Sequence, residues 1–219
     1  MLKEPETIKF INNLTDGSVF FDIGANIGIY SVYAAIKKPN LKIFAFEPST
    51  SNLSILSRNI YVNKLQEKIS IIQLPLGVKD LNIDIISESF FEEGGSMSSF
   101  ATNLGFDGKK FKAINKYKII GTSLDFLIKN KVIPQPNAIK LDVDGVEHLI
   151  LEGSLKCLKN KKLKKIIVEI NENFKFQKSN ILRTLKKNNF LLLEKTRAEE
   201  FYSSKKFDKT YNYIFEKKI

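Results

Sequence analysis

The chain of 219 residues has hydrophobic residues at 43% and charged residues at 27%, which excludes a disordered chain and suits one globular domain over 1–219. No apolar run approaches the roughly 20 residues that span a bilayer, and the amino terminus lacks a secretory signal. The single cysteine excludes a disulfide framework and a multi-cysteine zinc site. We therefore expect a cytoplasmic protein. The net charge of +11 comes almost entirely from lysine, which indicates solvated lysines rather than a nucleic-acid-binding surface.

Apolar segments alternate with helical patterns along most of the chain. Five segments have the length of a buried strand and end in turn signals: 18–24, 42–48, 69–76, 137–143 and 164–170. Helices are predicted between or after them: 28–37, 50–62, 122–130, 147–159 and 178–187. This α/β alternation with short connections predicts a mostly parallel, doubly wound sheet with helices on both faces.

Two regions depart from this alternation. Residues 81–120 are rich in glycine, serine and asparagine, and we expect an insertion, a hairpin and a loop, over one end of the sheet. The segments at 190–202 and 210–218 alternate apolar and polar residues, and they predict an antiparallel strand pair.

The first strand is joined to the first helix by a turn that reads Asp-Ile-Gly-Ala-Asn-Ile-Gly, residues 22–28. Its glycines permit a sharp turn and close approach of a ligand, and the helix amides near 26–28 are expected to face that ligand. Dinucleotide-binding proteins carry G-x-G-x-x-G, whose middle glycine is absent here, and Asp22 would repel a pyrophosphate. The same carboxylate suits the ammonium and sulfonium groups of S-adenosylmethionine.

Glu47 ends the second strand, 23 positions after Gly24. An acidic residue at about this distance beyond a glycine turn accepts hydrogen bonds from ribose hydroxyls. Glu47 therefore predicts a cofactor that contains adenosine, which could be a dinucleotide or S-adenosylmethionine. Asp22 and the spacing of Gly24 and Gly28 favour S-adenosylmethionine over a dinucleotide.

Three blocks resemble the FkbM family of S-adenosylmethionine-dependent methyltransferases: residues 20–31, 46–63 and 139–153. The third, "IKLDVDGVEHLILEG", is the most specific of the three. The resemblance implies a Rossmann-like class I methyltransferase fold, S-adenosylmethionine as cofactor, and a sugar, glycan intermediate or natural product as acceptor. The chain departs from the family at Asp144, where glutamate is usual and the shorter side chain changes the reach of the carboxylate.

Candidate catalytic carboxylates follow the fourth apolar strand. Lys140, Asp142 and Asp144 alternate along its end, and Glu147 opens the next helix. A carboxylate here would accept or orient the proton of the acceptor, so Asp142 is the first catalytic candidate, followed by Asp144 and Glu147. Glu147 could instead cap the helix or pair with Lys140. Asp142 and Asp144 could instead hold a divalent cation, although we expect no metal.

The remaining predicted cofactor contacts lie at the same strand ends. Asn26 belongs to the glycine turn, and the others are Ala25, Tyr30, Ser31, Pro48 and Leu76. Tyr30 and Ser31 are expected either to bind the cofactor carboxylate or to pack, and Leu76 marks the place of the adenine.

A loop, a histidine and a cysteine complete the list of candidate residues. The loop at 93–100 is expected either to contact the acceptor or to be a plain surface turn. The only histidine, His148, is expected to pack rather than act as a base, and Cys157 to be a small core residue.

Two other functions compete with a small-molecule O-methyltransferase. The positive charge suggests an RNA methyltransferase, but the Asn/Asp-Pro-Pro-Tyr/Phe signature of amino-methylating enzymes is absent, and the chain reads "LDVDG" in its place. A non-catalytic nucleotide-cofactor binding module shares the same fold. We predict a methyltransferase acting on a hydroxyl oxygen, with no prediction of oligomeric state.

Overall fold

The computed structural model describes residues 4–197 and 209–218, which form two β-sheets. The strands are β1 (Val19–Ile23), β2 (Lys42–Phe46), β3 (Ile69–Ile72), β4 (Leu81–Glu88), β5 (Ser98–Phe100), β6 (Asn115–Thr122), β7 (Ala138–Leu141), β8 (Lys165–Asn171), β9 (Phe190–Thr196) and β10 (Thr210–Lys217). The helices are α1 (Pro5–Asn12), α2 (Ile29–Lys37), α3 (Thr50–Val62), α4 (Leu124–Lys129), α5 (Glu147–Glu152), α6 (Leu155–Lys159) and α7 (Lys175–Lys187).

The larger sheet has seven strands in the order β3-β2-β1-β7-β8-β10-β9. The first five are parallel, and β10 pairs antiparallel with both β8 and β9. The chain builds outward from β1 on one side and from β7 on the other. The strand order therefore reverses between β1 and β7, and ligands of open α/β sheets bind outside the carboxyl ends at such a point.

Alternating side chains of the sheet contribute to two separate hydrophobic cores, one on each face. Phe20 belongs to a cluster with residues of α1, α2 and α3, and the next residue, Phe21, belongs to a cluster with residues of α4 to α7. Both phenylalanines are fully buried. Because neighbouring strand residues point to opposite faces, this pattern places helices on both faces of the sheet.

The predicted doubly wound sheet and its antiparallel carboxy-terminal pair are confirmed. Positions 198–202 of that predicted pair lie outside the described residues. Helix α1 is absent from the sequence prediction. The region expected to be a hairpin and a loop contains a second, three-stranded antiparallel sheet in the order β5-β4-β6.

The single helix predicted over 147–159 is wrong, because the chain forms two short helices, α5 and α6, that separate at Gly153. Glycine is a poor helix former, and a Cβ at Gly153 would lie 2.0 Å from the backbone oxygen of Gly77. Two N–H groups in the first turn of α6 donate to the Asp125 carboxylate at 2.7 and 2.8 Å. The Asp125 side chain thus stabilises the first turn of α6 from a distant part of the chain.

None of the helices within 4–197 and 209–218 has the length and hydropathy to cross a bilayer.

Candidate functional site

A cavity of about 380 Å³ lies at the carboxyl ends of the parallel strands. This volume is in the range of small-molecule sites. One part of its wall, the turn side, comprises Gly24, Asn26, Glu47 and Leu76. Another part, the carboxylate side, comprises Glu4, Asp142, Asp144 and Glu169.

The turn after β1 requires its glycines. Gly24 and Gly28 both have φ of +83°, and Asn26 between them has φ of +51°. A Cβ at Gly24 would lie 1.7 Å from the backbone oxygen of Asp142, and a Cβ at Gly28 would lie 2.3 Å from Cδ1 of Leu56. The glycines therefore allow β1 to approach the β7 turn and α2 to approach α3.

The N–H groups of this turn donate to the protein itself. Asn26 N donates to Oε2 of Glu47 at 2.8 Å, Ile27 N to the Asn26 side-chain oxygen at 2.7 Å, and Gly28 N to the Ala25 carbonyl at 2.8 Å. The expectation that these amides face the ligand is wrong. An anion would find no amide cradle in residues 26–28, which agrees with the absence of a pyrophosphate motif.

Glu47 is held by backbone on both carboxylate oxygens. Besides the Asn26 amide, the Ser49 amide donates to Oε1 at 2.9 Å, and the side chain is 5% exposed. Burial raises the pKa of Glu47 to about 7, against the lowering effect of these two amides. Glu47 is therefore oriented at the cavity wall before any ligand binds.

Asp22 and Asp142 are joined by the buried ammonium of Lys140. Lys140 Nζ lies 3.0 Å from Oδ2 of Asp142 and 3.8 Å from Oδ1 of Asp22. Ser31 donates to the other Asp22 oxygen at 2.6 Å, and Asp22 is fully buried. Burial raises the pKa of Asp22 despite these partners, and the Lys140 pKa is raised because the carboxylates outweigh its burial.

Glu4 is a residue of the wall that the sequence did not identify. It precedes α1, accepts a hydrogen bond from Thr7 at 2.7 Å and lines the carboxylate side. Burial first, and then the charge of Asp142, raise the pKa of Glu4 to about 7. Tyr30 lies beside it, with Lys140 Nζ 5.3 Å from the centre of its ring.

Asp142, Asp144 and Glu169 converge from the ends of β7 and β8. One carboxylate oxygen from each lies within 4.8 Å of the other two. Burial, followed by the charges of Asp142 and Asp144, raises the pKa of Glu169 well above its ordinary value. Carboxylates this close share a proton or accept a cationic or hydroxylated partner.

Glu147 points into the turn rather than the cavity. Its carboxylate accepts from the N–H groups of Val143 and Gly145 at 3.0–3.2 Å and from Gln177 Nε2 at 2.5 Å. Burial raises its pKa to about 7, against the lowering effect of these backbone donors. Glu147 therefore braces the turn after β7, and within the described chain Lys140 pairs with Asp22 and Asp142 instead.

The structure divides the predicted site residues into two groups. Those that line the cavity are Gly24, Asn26, Glu47, Pro48, Leu76, Asp142 and Asp144. Those of the described residues that stand outside its wall are Asp22, Ala25, Gly28, Tyr30, Ser31 and Glu147. Wall residues that sequence reasoning missed include Glu4, Asn52 and Glu169. Of these, Asn52 had a local signal, because it follows Glu47 by five positions in the predicted helix 50–62.

His148 and Cys157 are packing residues. The His148 ring stands edge-on to Phe174 and Phe176, with ring centres 5.8 and 5.6 Å apart, and burial lowers its pKa. Cys157 is 1% exposed, and burial raises the pKa of its thiol to about 12.

The fold is that of class I Rossmann-like methyltransferases. Over 98% of this chain and 87% of the other, it superposes on a precorrin-6y C5,15-methyltransferase from Geobacter metallireducens, with a TM-score of 0.55 and 13% identity. TrmK from M. capricolum, solved with S-adenosyl-homocysteine, gives a TM-score of 0.51 at 15% identity, over 96% and 67% of the two chains. At these identities the likeness concerns the fold.

The chain belongs to the FkbM methyltransferase domain family, which its residues 22–192 match. It is 28% identical over 155 residues to the hexuronic acid methyltransferase AglP of Haloferax volcanii, covering 71% of this chain and 56% of that protein. It is 39% identical over 66 residues to methyltransferase sdnD of Sordaria araneosa, covering 30% and 26%. The chain spans little more than half the length, or less, of these curated relatives. The resemblance to the FkbM family is thus confirmed.

Proposed function

We propose that the protein transfers a methyl group from S-adenosylmethionine to a hydroxyl oxygen of a sugar, glycan intermediate or similar small molecule. One observation carries the proposal. A single cavity at the strand-order reversal joins the glycine turn and Glu47 on one side to Asp142 on the other. Family membership supports methyl transfer as the reaction.

The turn side suits the donor. Gly24 leaves no room for a side chain, so the backbone forms the wall, and Glu47 presents a fixed carboxylate. We assign Glu47 to the ribose hydroxyls and the apolar wall at Leu76 to the adenine. Bound S-adenosylmethionine would supply a methyl group on a positively charged sulfur.

Asp142 is the proposed catalytic residue. It lines the cavity with a side chain that is 25% exposed, and Lys140 fixes its Oδ2 by the 3.0 Å ion pair. Asp142 accepts the proton of the acceptor hydroxyl as the oxygen–methyl bond forms and the sulfur–methyl bond breaks. Holding the hydroxyl in line supplies much of the rate, and a positioned base adds roughly 10²–10⁴-fold.

The acceptor class rests on the relatives and on the wall of the cavity. AglP is named a hexuronic acid methyltransferase, which supports a sugar. The carboxylates of Asp142, Asp144 and Glu169 offer acceptors to several hydroxyl groups at once. A polyhydroxylated acceptor matches this arrangement.

Calorimetric titration tests the donor before any acceptor is known. We expect micromolar binding of S-adenosylmethionine or S-adenosylhomocysteine, loss of that binding in Glu47→Ala, and no comparable binding of NADH or ATP. Tighter binding of NADH than of S-adenosylmethionine would contradict the proposal. Transfer of a tritiated methyl group to a panel of glycosides then identifies the acceptor, and a parallel incubation with RNA tests the competing substrate.

A further inference from the structure

The segment between β4 and β5 contributes to the wall of the cavity. Residues 92–97, the cover loop, place Gly95 and Ser96 in the cavity wall. Ser89, which precedes the loop, donates its N–H to the carbonyl of Met97, the last loop residue, at 3.2 Å. This hydrogen bond brings the two ends of the loop together. This is the segment that the sequence left open between an acceptor loop and a plain surface turn.

Side chains of the site hold the cover loop by its backbone. Oδ1 of Asn52 accepts from Gly94 N at 2.9 Å, and its Nδ2 donates to the Gly95 carbonyl at 3.0 Å. The side-chain amide of Asn26 donates to the same carbonyl at 3.0 Å. Asn52 is 3% exposed, so its amide has exchanged water for these backbone partners.

A second attachment lies at the other end of the loop. Met97 N donates to Oδ2 of Asp144 at 2.7 Å. Met97 and Asp144 have φ of +66° and +58°, a conformation that L residues other than asparagine and aspartate rarely adopt. The bond therefore fixes two turns at once, one in the loop and one after β7.

The same side chains border the proposed ribose site. Nδ2 of Asn52 lies 3.5 Å from Oε1 of Glu47, and the backbone of Asn26 donates to Oε2 of Glu47. The cover loop, the two asparagines and the Glu47 carboxylate thus form one connected set of contacts. A ligand bound to Glu47 would therefore share the cavity with Gly95 and Ser96 of this loop.

We propose that Asn52 and Asp144 are positioning residues that hold the cover loop over the turn side, and that both attachments must open before the cofactor is exchanged. The inference rests on the proposed function, since it places the cofactor on Glu47. It also gives Asp144 a task other than the catalytic one predicted from the sequence.

Release of tritiated S-adenosylmethionine, chased with unlabelled cofactor, measures the effect. Asn52→Ala is expected to release it about tenfold faster, as the loss of two ordinary hydrogen bonds implies. Asn63→Ala is the control, because Asn63 is the C-cap of the same helix and its exposed side chain donates to the Asn59 carbonyl. Release from Asn63→Ala should match the wild type.

Asp144 is tested by a pair of variants that tolerate its left-handed backbone. Asp144→Gly removes the acceptor oxygen and should speed release about tenfold, whereas Asp144→Asn keeps an oxygen and should restore the wild-type rate. Wild-type release from either Asn52→Ala or Asp144→Gly would overturn the proposal.

Amide hydrogen exchange separates this inference from the proposed function. In the ligand-free chain, Gly94 N should lose protection in Asn52→Ala, and Met97 N should lose protection in Asp144→Gly. Unchanged exchange at either amide overturns the proposal that both contacts hold the loop. If the wild-type chain binds no S-adenosylmethionine, the proposed function is overturned instead. Amide hydrogen exchange in the ligand-free chain would still show whether Asn52 and Asp144 hold the loop.

Discussion

The two sides of the cavity are built differently. On the turn side, backbone groups bind one another and the single carboxylate, Glu47, is held by two amides. On the carboxylate side, four acidic side chains from distant parts of the chain line one wall, and one of them, Asp142, shares the buried Lys140 ammonium with Asp22. The turn side depends mainly on the close fit of its backbone, whereas the carboxylate side depends mainly on the charges of its carboxyl groups.

The largest expected effect tests the shape of the turn side. Gly24→Ala should lower the free energy of unfolding by more than about 3 kcal/mol, because its Cβ would overlap the Asp142 carbonyl. Gly17→Ala is the matched control. Gly17 has φ of +77°, but no atom of the described residues lies within 4 Å of the position its Cβ would take, so it should lose only about 1–2 kcal/mol. Urea unfolding of both variants measures the difference, and equal losses would contradict the shape argument.

Removing the cation tests the charge balance. Lys140→Met should cost about 3–5 kcal/mol at pH 8, because Asp22 would remain buried without its partner. The cost should shrink towards pH 5, because a raised Asp22 pKa makes the folded state bind its proton more tightly than the unfolded state.

Lys165→Met is the control for that change. Lys165 pairs with Glu216 at 3.9 Å across partly exposed strands, so its loss should cost under about 1 kcal/mol at either pH. Urea midpoints at pH 5 and pH 8 decide the matter. A cost for Lys140→Met that is independent of pH would refute the role given to Asp22.

Asp142→Asn separates chemistry from binding. Turnover should fall by roughly 10²–10⁴-fold, since the amide accepts no proton, while the Kd for S-adenosylmethionine stays within about twofold. Asp84→Asn, in the smaller sheet, is the control and should keep full activity. Tritium transfer with calorimetry measures both quantities, and an active Asp142→Asn enzyme would remove Asp142 from the mechanism.

The smallest effect concerns Glu47 and pH. Its pKa of about 7 predicts that affinity for S-adenosylmethionine rises as pH increases through 7, because the ionised carboxylate accepts ribose hydroxyls better. Glu47→Gln should weaken binding about tenfold at pH 8 and less at pH 5.5. Titrations across this range test the prediction, and a flat profile for the wild type would show that Glu47 does not bind the ribose.

The sequence predicted the turn side better than the carboxylate side. Gly24 and Glu47 are marked by local signals, a glycine spacing and a strand end, which can be recognised in the sequence alone. Glu4 reaches the cavity because α1 packs against the sheet. No local sequence pattern indicates that contact.

Other differences have the same cause. Glu169 is hidden inside an apolar strand, and its position at the site follows from the pairing of β8 with β7. The break at Gly153 depends on its approach to Gly77, which lies 76 positions away along the chain. Contacts of this kind are set by tertiary packing, and periodicity and spacing do not encode them.

The buried thiol of Cys157 has a practical consequence for spectroscopy. A thiol that is 1% exposed with a pKa of about 12 stays protonated and inaccessible to maleimide reagents in the folded protein. Because it is the only cysteine, the native chain needs no cysteine removal before labelling. A Glu93→Cys variant would carry one dye on the exposed cover loop and report its opening in real time.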